Sequence, residues 1–295
     1  MGLEVDQLSK SFGETKAVQN LSFSLNKGEV LGLLGRNGAG KTTTIKMLLG
    51  LFPPDHGKIL WDAKPLNRAK VSIGYLPEER GLYVKSKIVD QLRYFGELEG
   101  MSRKQTDMAI DEWLEKLEIT EYKTKKANEL SKGNQQKIQL IATLLHNPEF
   151  IILDEPFSGL DPVNANVLAS IIEEQIEAGK TVILSSHRME QIESFCEQIC
   201  LMNKGEAIVK GRLDEIKQNY GYRNLTISGS NNAIEKLLIE WNIPFETKQA
   251  DIVIRVSDEK EALGLLNRFE SRSISIRNFK MLEPTLNEIF IEKVG

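Results

Sequence analysis

Gly35-Arg36-Asn37-Gly38-Ala39-Gly40-Lys41-Thr42 follows the spacing G-x-x-x-x-G-K-[ST]. Glycines at that spacing let successive backbone N–H groups turn into one concavity, and the lysine reaches the terminal phosphates of a bound polyphosphate. The run Val30–Leu34 ahead of the loop is continuously apolar, and residues 43–49 after it read as a helix. The loop therefore opens a helix whose positive end adds to the attraction for an anion. A merely flexible glycine-rich turn would explain the glycines but not the flanking elements. In this reading Gly35, Arg36, Asn37, Gly38, Ala39, Gly40, Lys41, Thr42 and Thr43 hold a nucleotide's phosphates, and the Thr42 hydroxyl ligates Mg2+.

A second group with chemistry to offer ends the run Phe150-Ile151-Ile152-Leu153-Asp154-Glu155. A strand end beside a phosphate loop is where a metal-assisting aspartate belongs. Asp154 is then expected to hold Mg2+, directly or through water, and Glu155 to polarise the attacking water as general base. In isolation the pair would read as surface carboxylates capping a strand; in company with the loop, the catalytic reading is the better one.

These groups need a rigid frame. Continuous rather than alternating apolar runs occur at residues 30–34, 150–153 and 181–184. Strands buried on both faces read this way, which predicts a mostly parallel sheet covered by helices. Residues 86–145 carry helical periodicity, with Ile110, Trp113, Leu114 and Leu117 on one stripe, so they read as a helical lobe inserted between strands. Beyond residue 220 the texture changes to short strands and amphipathic helices at 224–228, 233–240, 245–248, 251–256, 259–269 and 274–279, a βαββαβ order of ferredoxin-like type. A last helix is expected over 284–294, with Pro284 in its first turn. The domains are thus 1–220 and 221–295.

Between the loop and the two carboxylates stands Leu130-Ser131-Lys132-Gly133-Asn134-Gln135-Gln136-Lys137, which resembles the signature peptide of ABC ATPases. Ser158-Gly159-Leu160-Asp161 resembles that family's D-loop, Ser185-Ser186-His187 its switch-histidine segment, and Phe12 falls where the family stacks an aromatic on adenine. The similarity runs in order over about residues 3–215. It implies an α/β P-loop NTPase of ABC type: a mostly parallel core sheet, an N-terminal antiparallel β part and a helical lobe, followed by a small C-terminal α+β ferredoxin-like domain. It also implies that two copies sandwich two Mg-ATP. Ser131 and Gly133 of one copy would contact the γ-phosphate held by the other, Asp161 would communicate between sites, and His187 would steady the γ-phosphate and the water. A histidine met alone defaults to an inert core residue, but the place of His187 directly after the run 182–186 favours the catalytic reading. Three departures stand out: Lys132 and Asn134 replace the usual Gly and Gln, and Glu78 replaces a Gln that contacts Mg2+. A carboxylate there can still coordinate the ion. Glu283-Pro284-Thr285-Leu286-Asn287-Glu288-Ile289-Phe290 resembles the closing segment of ATPase subunits from bacterial drug, antibiotic and sodium exporters. The resemblance therefore implies an export ATPase that drives a separate transmembrane permease; a soluble regulatory or assembly ATPase is the alternative. For the C-terminal domain, a stabilising or dimerising appendage is preferred to a sensory site.

Composition agrees with a folded, non-spanning chain. Of 295 residues, 41% are hydrophobic and 27% charged, and the net charge of −4 provides no global field for nucleic acid. No apolar stretch approaches the roughly 20 residues of a membrane helix, and the first residues lack the basic start and apolar run of a signal peptide. The expected location is the cytosol when isolated, and the cytoplasmic face of the membrane, peripheral through the permease, when assembled. Cys196 and Cys200, four apart in a helical-looking stretch, suit packing rather than a staple or a metal site. His56 and His146 read as turn residues.

Overall fold

The three continuous apolar runs become the buried centre of a six-stranded sheet. The chain's computed structural model describes residues 2–79, 81–248 and 251–294. It opens with β1 (Leu3–Phe12) and β2 (Thr15–Leu25), followed by β3 (Val30–Leu34), α1 (Lys41–Leu48), β4 (His56–Trp61), β5 (Lys64–Pro65) and β6 (Ile73–Leu76). Next come α2 (Ile88–Leu98), α3 (Arg103–Lys116), two short 3-10 turns, α4 (Lys132–Leu144), β7 (Phe150–Asp154), α5 (Pro162–Glu177), β8 (Thr181–Ser186) and α6 (Met189–Ile192). β9 (Gln198–Asn203) and β10 (Glu206–Arg212) complete this part.

The central sheet has the order β10-β9-β3-β8-β7-β6. Every residue of β3, β7 and β8 is buried, and β3 pairs in parallel with both β8 and β9, as β7 does with β8 and β6. Parallel pairing requires each strand to return through a crossover, so the C-terminal ends of β3, β7 and β8 open on one edge and can share a site. A second, antiparallel sheet has the order β2-β1-β4-β5. Leu3, Leu8 and Leu21 from it join Leu33, Phe150 and Ile183 of the central sheet and Ile45 and Leu48 of α1 in one core. Each such side chain contributes roughly 1.5–3 kcal/mol by leaving water, so α1 and the loop before it rest on a stiff floor. Within the helical lobe, Ser102 caps α3 in a reciprocal box with Gln105.

Chain packing divides at Gly211, N-terminal to the boundary expected at 220, so the short α7 (Leu213–Gln218) goes with the C-terminal unit. That unit continues with β11 (Arg223–Gly229), α8 (Asn231–Glu240), β12 (Phe245–Lys248), β13 (Asp251–Val256), α9 (Glu259–Ser271), β14 (Ile276–Leu282) and α10 (Leu286–Val294). Its antiparallel sheet has the order β12-β13-β11-β14, the split arrangement of ferredoxin-like folds. Leu225, Ile227, Ile252 and Ile254 pack on one face with Ile234 and Leu238 of α8 and Phe269 of α9.

Two local expectations are corrected. Pro284 is not in the first turn of the last helix. Thr285 Oγ1 accepts the Glu288 N–H at 3.2 Å and the Thr285 N–H donates to Glu288 Oε2 at 2.9 Å, so a capping box starts α10 at Leu286. His56 begins β4 rather than sitting in a turn. His146 does lie in a turn, half-buried, and burial lowers its pKa from the ordinary value. Cys196 and Cys200 are free and buried.

Candidate nucleotide site

The loop after β3 is shaped by close backbone approaches. Gly35 has φ 149°, and a Cβ there would sit 2.4 Å from the Met202 carbonyl oxygen; Gly40 has φ 106°, and a Cβ there would sit 2.4 Å from the Ala17 carbonyl oxygen. Both glycines thus serve a backbone conformation and a space that other residues cannot share. Gly40 N-caps α1 without a side-chain hydrogen bond, leaving the first-turn N–H groups for a ligand. Lys41, 6% exposed, donates Nζ to the Gly35 carbonyl at 2.7 Å and lies 3.5 Å from Glu155 Oε1.

Beneath Lys41 the ends of β7 and β8 carry the acidic groups. Parallel register sets Asp154 opposite Ser185. The Ser185 hydroxyl donates to Asp154 Oδ1, and the Thr42 hydroxyl donates to Oδ2 at 3.3 Å. Burial raises the Asp154 carboxyl above its ordinary value; the Ser185 hydrogen bond opposes this, Glu155 adds to it and Lys41 opposes it. Glu155 has a positive φ of 50°, a conformation that costs energy for a non-glycine residue. It is held there because its N–H reaches both Ser185 Oγ and the Ser185 carbonyl, each at 3.1 Å. Glu155 Oε2 accepts from Ser186 Oγ at 3.3 Å and lies 2.9 Å from His187 Nδ1. Among the described residues Glu155 Oε1 is buried without a hydrogen-bond partner.

These groups wall a cavity of about 520 Å3 lined by residues 36–43, Glu78, Asp154 and Glu155, and also by Thr15, Lys16, Ala17 and Lys204. That volume is in the range of small-molecule sites. Tyr75, behind Glu78, has its hydroxyl pKa pushed up to about 12, first by burial and then by the charges of Asp154 and Glu78. Gly35 lies under the loop rather than in the cavity wall. Phe12 is 51% exposed, edge-on to Phe52 with ring centroids 5.5 Å apart, and pairs across β1–β2 with Thr15 at the cavity rim. Ser131, Gly133 and Asp161 do not line the cavity. Ser131 caps α4 by accepting the Asn134 N–H at 3.3 Å. Asp161 caps α5, and the Asn164 N–H and side-chain amide hold its carboxyl below the usual range.

Sequence reading missed Thr15, Lys16, Ala17 and Lys204, which reach the cavity from the turns of two hairpins with no local motif. It also missed the part Ser185 and Ser186 play in holding the two carboxylates.

The family model "ABC transporter" matches residues 18–158, and the model of the C-terminal domain of DrrA1-3-like ATP-binding proteins matches residues 211–294. The uncharacterized ABC transporter ATP-binding protein YhaQ of Bacillus subtilis is 43% identical over 294 residues, covering 99% of this chain and 98% of its own length. The chain belongs to the ATP-binding proteins of ABC transporters. The bacitracin transport ATP-binding protein BcrA of Bacillus licheniformis is 31% identical over 99% of this chain and 97% of its own length. A solved structure of an ATP-binding subunit of an ABC transporter superposes with a TM-score of 0.68 at 30% identity, over 75% of this chain and 94% of that one. As a member of this family the chain is a nucleotide-binding ATPase. Its cavity is built from residues that the family model spans together with hairpin residues on either side of it. No helix among the described residues is long and apolar enough to cross a membrane.

Proposed function

We propose that this chain binds Mg-ATP between two copies of itself, hydrolyses it with Glu155 as base, and drives a separate membrane-spanning permease that exports a small molecule. The observation that carries the reading is the meeting of Lys41, Thr42, Asp154 and Glu155 in one cavity, with His187 against Glu155. Phosphates settle on the N–H groups of residues 36–43, and Lys41 exchanges the Gly35 carbonyl for phosphate oxygens. Glu155 has one oxygen, Oε2, anchored by Ser186 and His187, and a second, Oε1, without a hydrogen bond among the described residues and 3.5 Å from the Lys41 ammonium; once Lys41 turns to the phosphates, Oε1 can take a proton from the attacking water. His187 orients that carboxylate.

The donor set fits magnesium. Thr42 Oγ1, an Asp154 oxygen and Glu78 at the rim are hard oxygen ligands. Mg2+ is ordinarily held by one or two carboxylates, with substrate phosphates and water completing its shell. This agrees with the described residues, which contain no group of three or more acidic, histidine or cysteine side chains placed to hold a metal alone. When bound, the ion neutralises charge on the transferred phosphoryl group.

Ser131, Gly133 and Asp161 stand outside their own chain's cavity, which supports their action on the nucleotide of a second copy. Phe12 at the rim suits an adenine. A groove of about 250 Å3 beside Glu78 is lined by Tyr75, Pro77, Leu82, Phe95 and Leu98, and it presents Gln139 Oε1 and His146 Nε2 as buried acceptors without a partner among the described residues. It suits an apolar segment of the permease that carries a hydrogen-bond donor, and would place the ATPase on the cytoplasmic face. The likeness to the bacitracin transport ATP-binding protein BcrA and the DrrA-like C-terminal match favour export. The C-terminal unit serves as a stabilising or dimerising appendage.

The test is Glu155→Gln with Mg-ATP. ATP binding is expected to persist, turnover to fall about 10²–10⁴-fold, and a stable dimer to form in which a probe at Ser131 crosslinks near the partner's nucleotide. Undiminished turnover would remove Glu155 from the base role.

A further inference from the structure

Asn164 joins the two surface elements that stand outside the cavity. The Asp161 carboxylate accepts the Asn164 N–H at 3.0 Å through one oxygen and Asn164 Nδ2 at 2.6 Å through the other. The same carboxamide lies on the first turn of α4: a Cβ built on Gly133 would come within 2.5 Å of Asn164 Nδ2 and 2.8 Å of its Cγ. Gly133 is not among the positive-φ glycines. Glycine is required there by the closeness of Asn164, not by the backbone conformation. One turn further along α4, Gln136, 5% exposed, donates Nε2 to the Pro156 carbonyl at 3.2 Å. The tip of α4 is therefore tied at two points to the segment that runs from Glu155 to α5.

A carboxamide that only braced the Asp161 cap would need only its own helix, and a glycine in a helix costs about 1 kcal/mol against alanine. The long-range contact between 133 and 164 is what a capping role leaves unexplained. We propose that Asn164 is a positioning residue: it fixes Ser131 and Gly133 in register with Asp161, so that the groups one copy offers to its partner's nucleotide arrive together. This rests on the reading that these residues act across a dimer. A rigid link of this kind makes closure a concerted step, because neither element can approach the partner's phosphate without the other.

The experiment uses the full chain with Asn164→Ala or Asn164→Asp, each alone and with Glu155→Gln. ATP affinity of the monomer and the melting temperature are expected to stay near the parent's. Dimerisation on Mg-ATP in the Glu155→Gln background should weaken about tenfold, with kcat of the single variants reduced similarly. Asn164→Asp should be the more severe, since it keeps the shape but sets a second carboxylate against Asp161. Gly133→Ala alone should also impair dimerisation, and adding Asn164→Ala should recover part of the loss, because the methyl then has room. Unchanged dimerisation and kcat in both Asn164 variants would overturn the proposal. So would a loss of monomer ATP binding or of melting temperature that matches the loss of activity, since the role would then be only structural. If Glu155→Gln with Asn164 intact fails to dimerise, the functional reading beneath it falls as well; a Glu155→Gln dimer that ignores Asn164 overturns this inference alone.

Discussion

Burial pushes two carboxylates in different units upward, but their net shifts are opposite. Asp154, in the cavity, is raised above its ordinary value because burial outweighs the Ser185 and Lys41 interactions, and Glu155 beside it adds repulsion. Glu288, on α10, is also pushed upward by burial, yet the Thr285 N–H, the Asn224 amide and Lys248 together bring it below its ordinary value. The acidic wall of the cavity thus keeps an unmet demand for positive charge, whereas the C-terminal unit has neutralised its own. Functional sites are where such demand is left standing. The contrast argues that the cavity is built for a charged ligand, and that the ion pairs of the C-terminal unit, which also join Arg255 to Glu292, are scaffolding.

Lys41→Ala breaks the contrast most severely. It removes the cation facing Glu155 and the phosphates, and one charge-assisted hydrogen bond contributes about 1.5–3 kcal/mol. ATP affinity by calorimetric titration is expected to fall by about 10–150-fold, with turnover lost in proportion. Unchanged affinity would contradict the assignment of the loop to phosphate.

Much of this was legible because it is written in local patterns. The glycine and lysine spacing of residues 35–42 and the continuous apolar runs state the strand, the loop and the two carboxylates without help from the rest of the chain. Lys204 and Thr15–Ala17 were not legible, since only strand pairing over long sequence separations brings those hairpin turns to the cavity. Ser185 was seen as part of a resemblance, but its hydrogen bonds to Asp154 and Glu155 depend on the register of β7 against β8. At Pro284 two local rules competed, and the Thr285–Glu288 capping box set the helix start two residues later than proline statistics suggest.

Ser185→Ala sharpens the contrast from the cavity side. Loss of the hydroxyl strips Asp154 of the strongest interaction that favours its charged form, so its pKa climbs further. A carboxylate whose folded value is raised contributes stability below its unfolded pKa and loses it as pH rises through the folded value. The variant should therefore be about 1–3 kcal/mol less stable than the parent near neutral pH, with the gap closing in acid. Its ATPase profile should also lose activity at a higher pH on the acid side, because the proposed metal-holding role of Asp154 requires its ionised form. Chemical denaturation at several pH values checks the first, and a pH–rate profile checks the second. A gap that widens in acid would reverse the assignment.

The smallest effect is expected at Glu288. Gln at 288 still fills the capping box with Thr285, so Glu288→Gln removes charge while leaving the start of α10 intact, which Ala would not. The Lys248 ammonium is 54% exposed, so solvent screening reduces the ion pair to below about 1 kcal/mol. Because the folded pKa of Glu288 is lowered, its contribution is present above the ordinary carboxylate value and is lost as pH falls through the folded one. The parent and the variant should accordingly differ slightly at neutral pH and converge in acid, with ATP turnover the same in both. A large fall in turnover would mean that charge in this unit reaches the nucleotide site, and the division between scaffold and site would have to be abandoned.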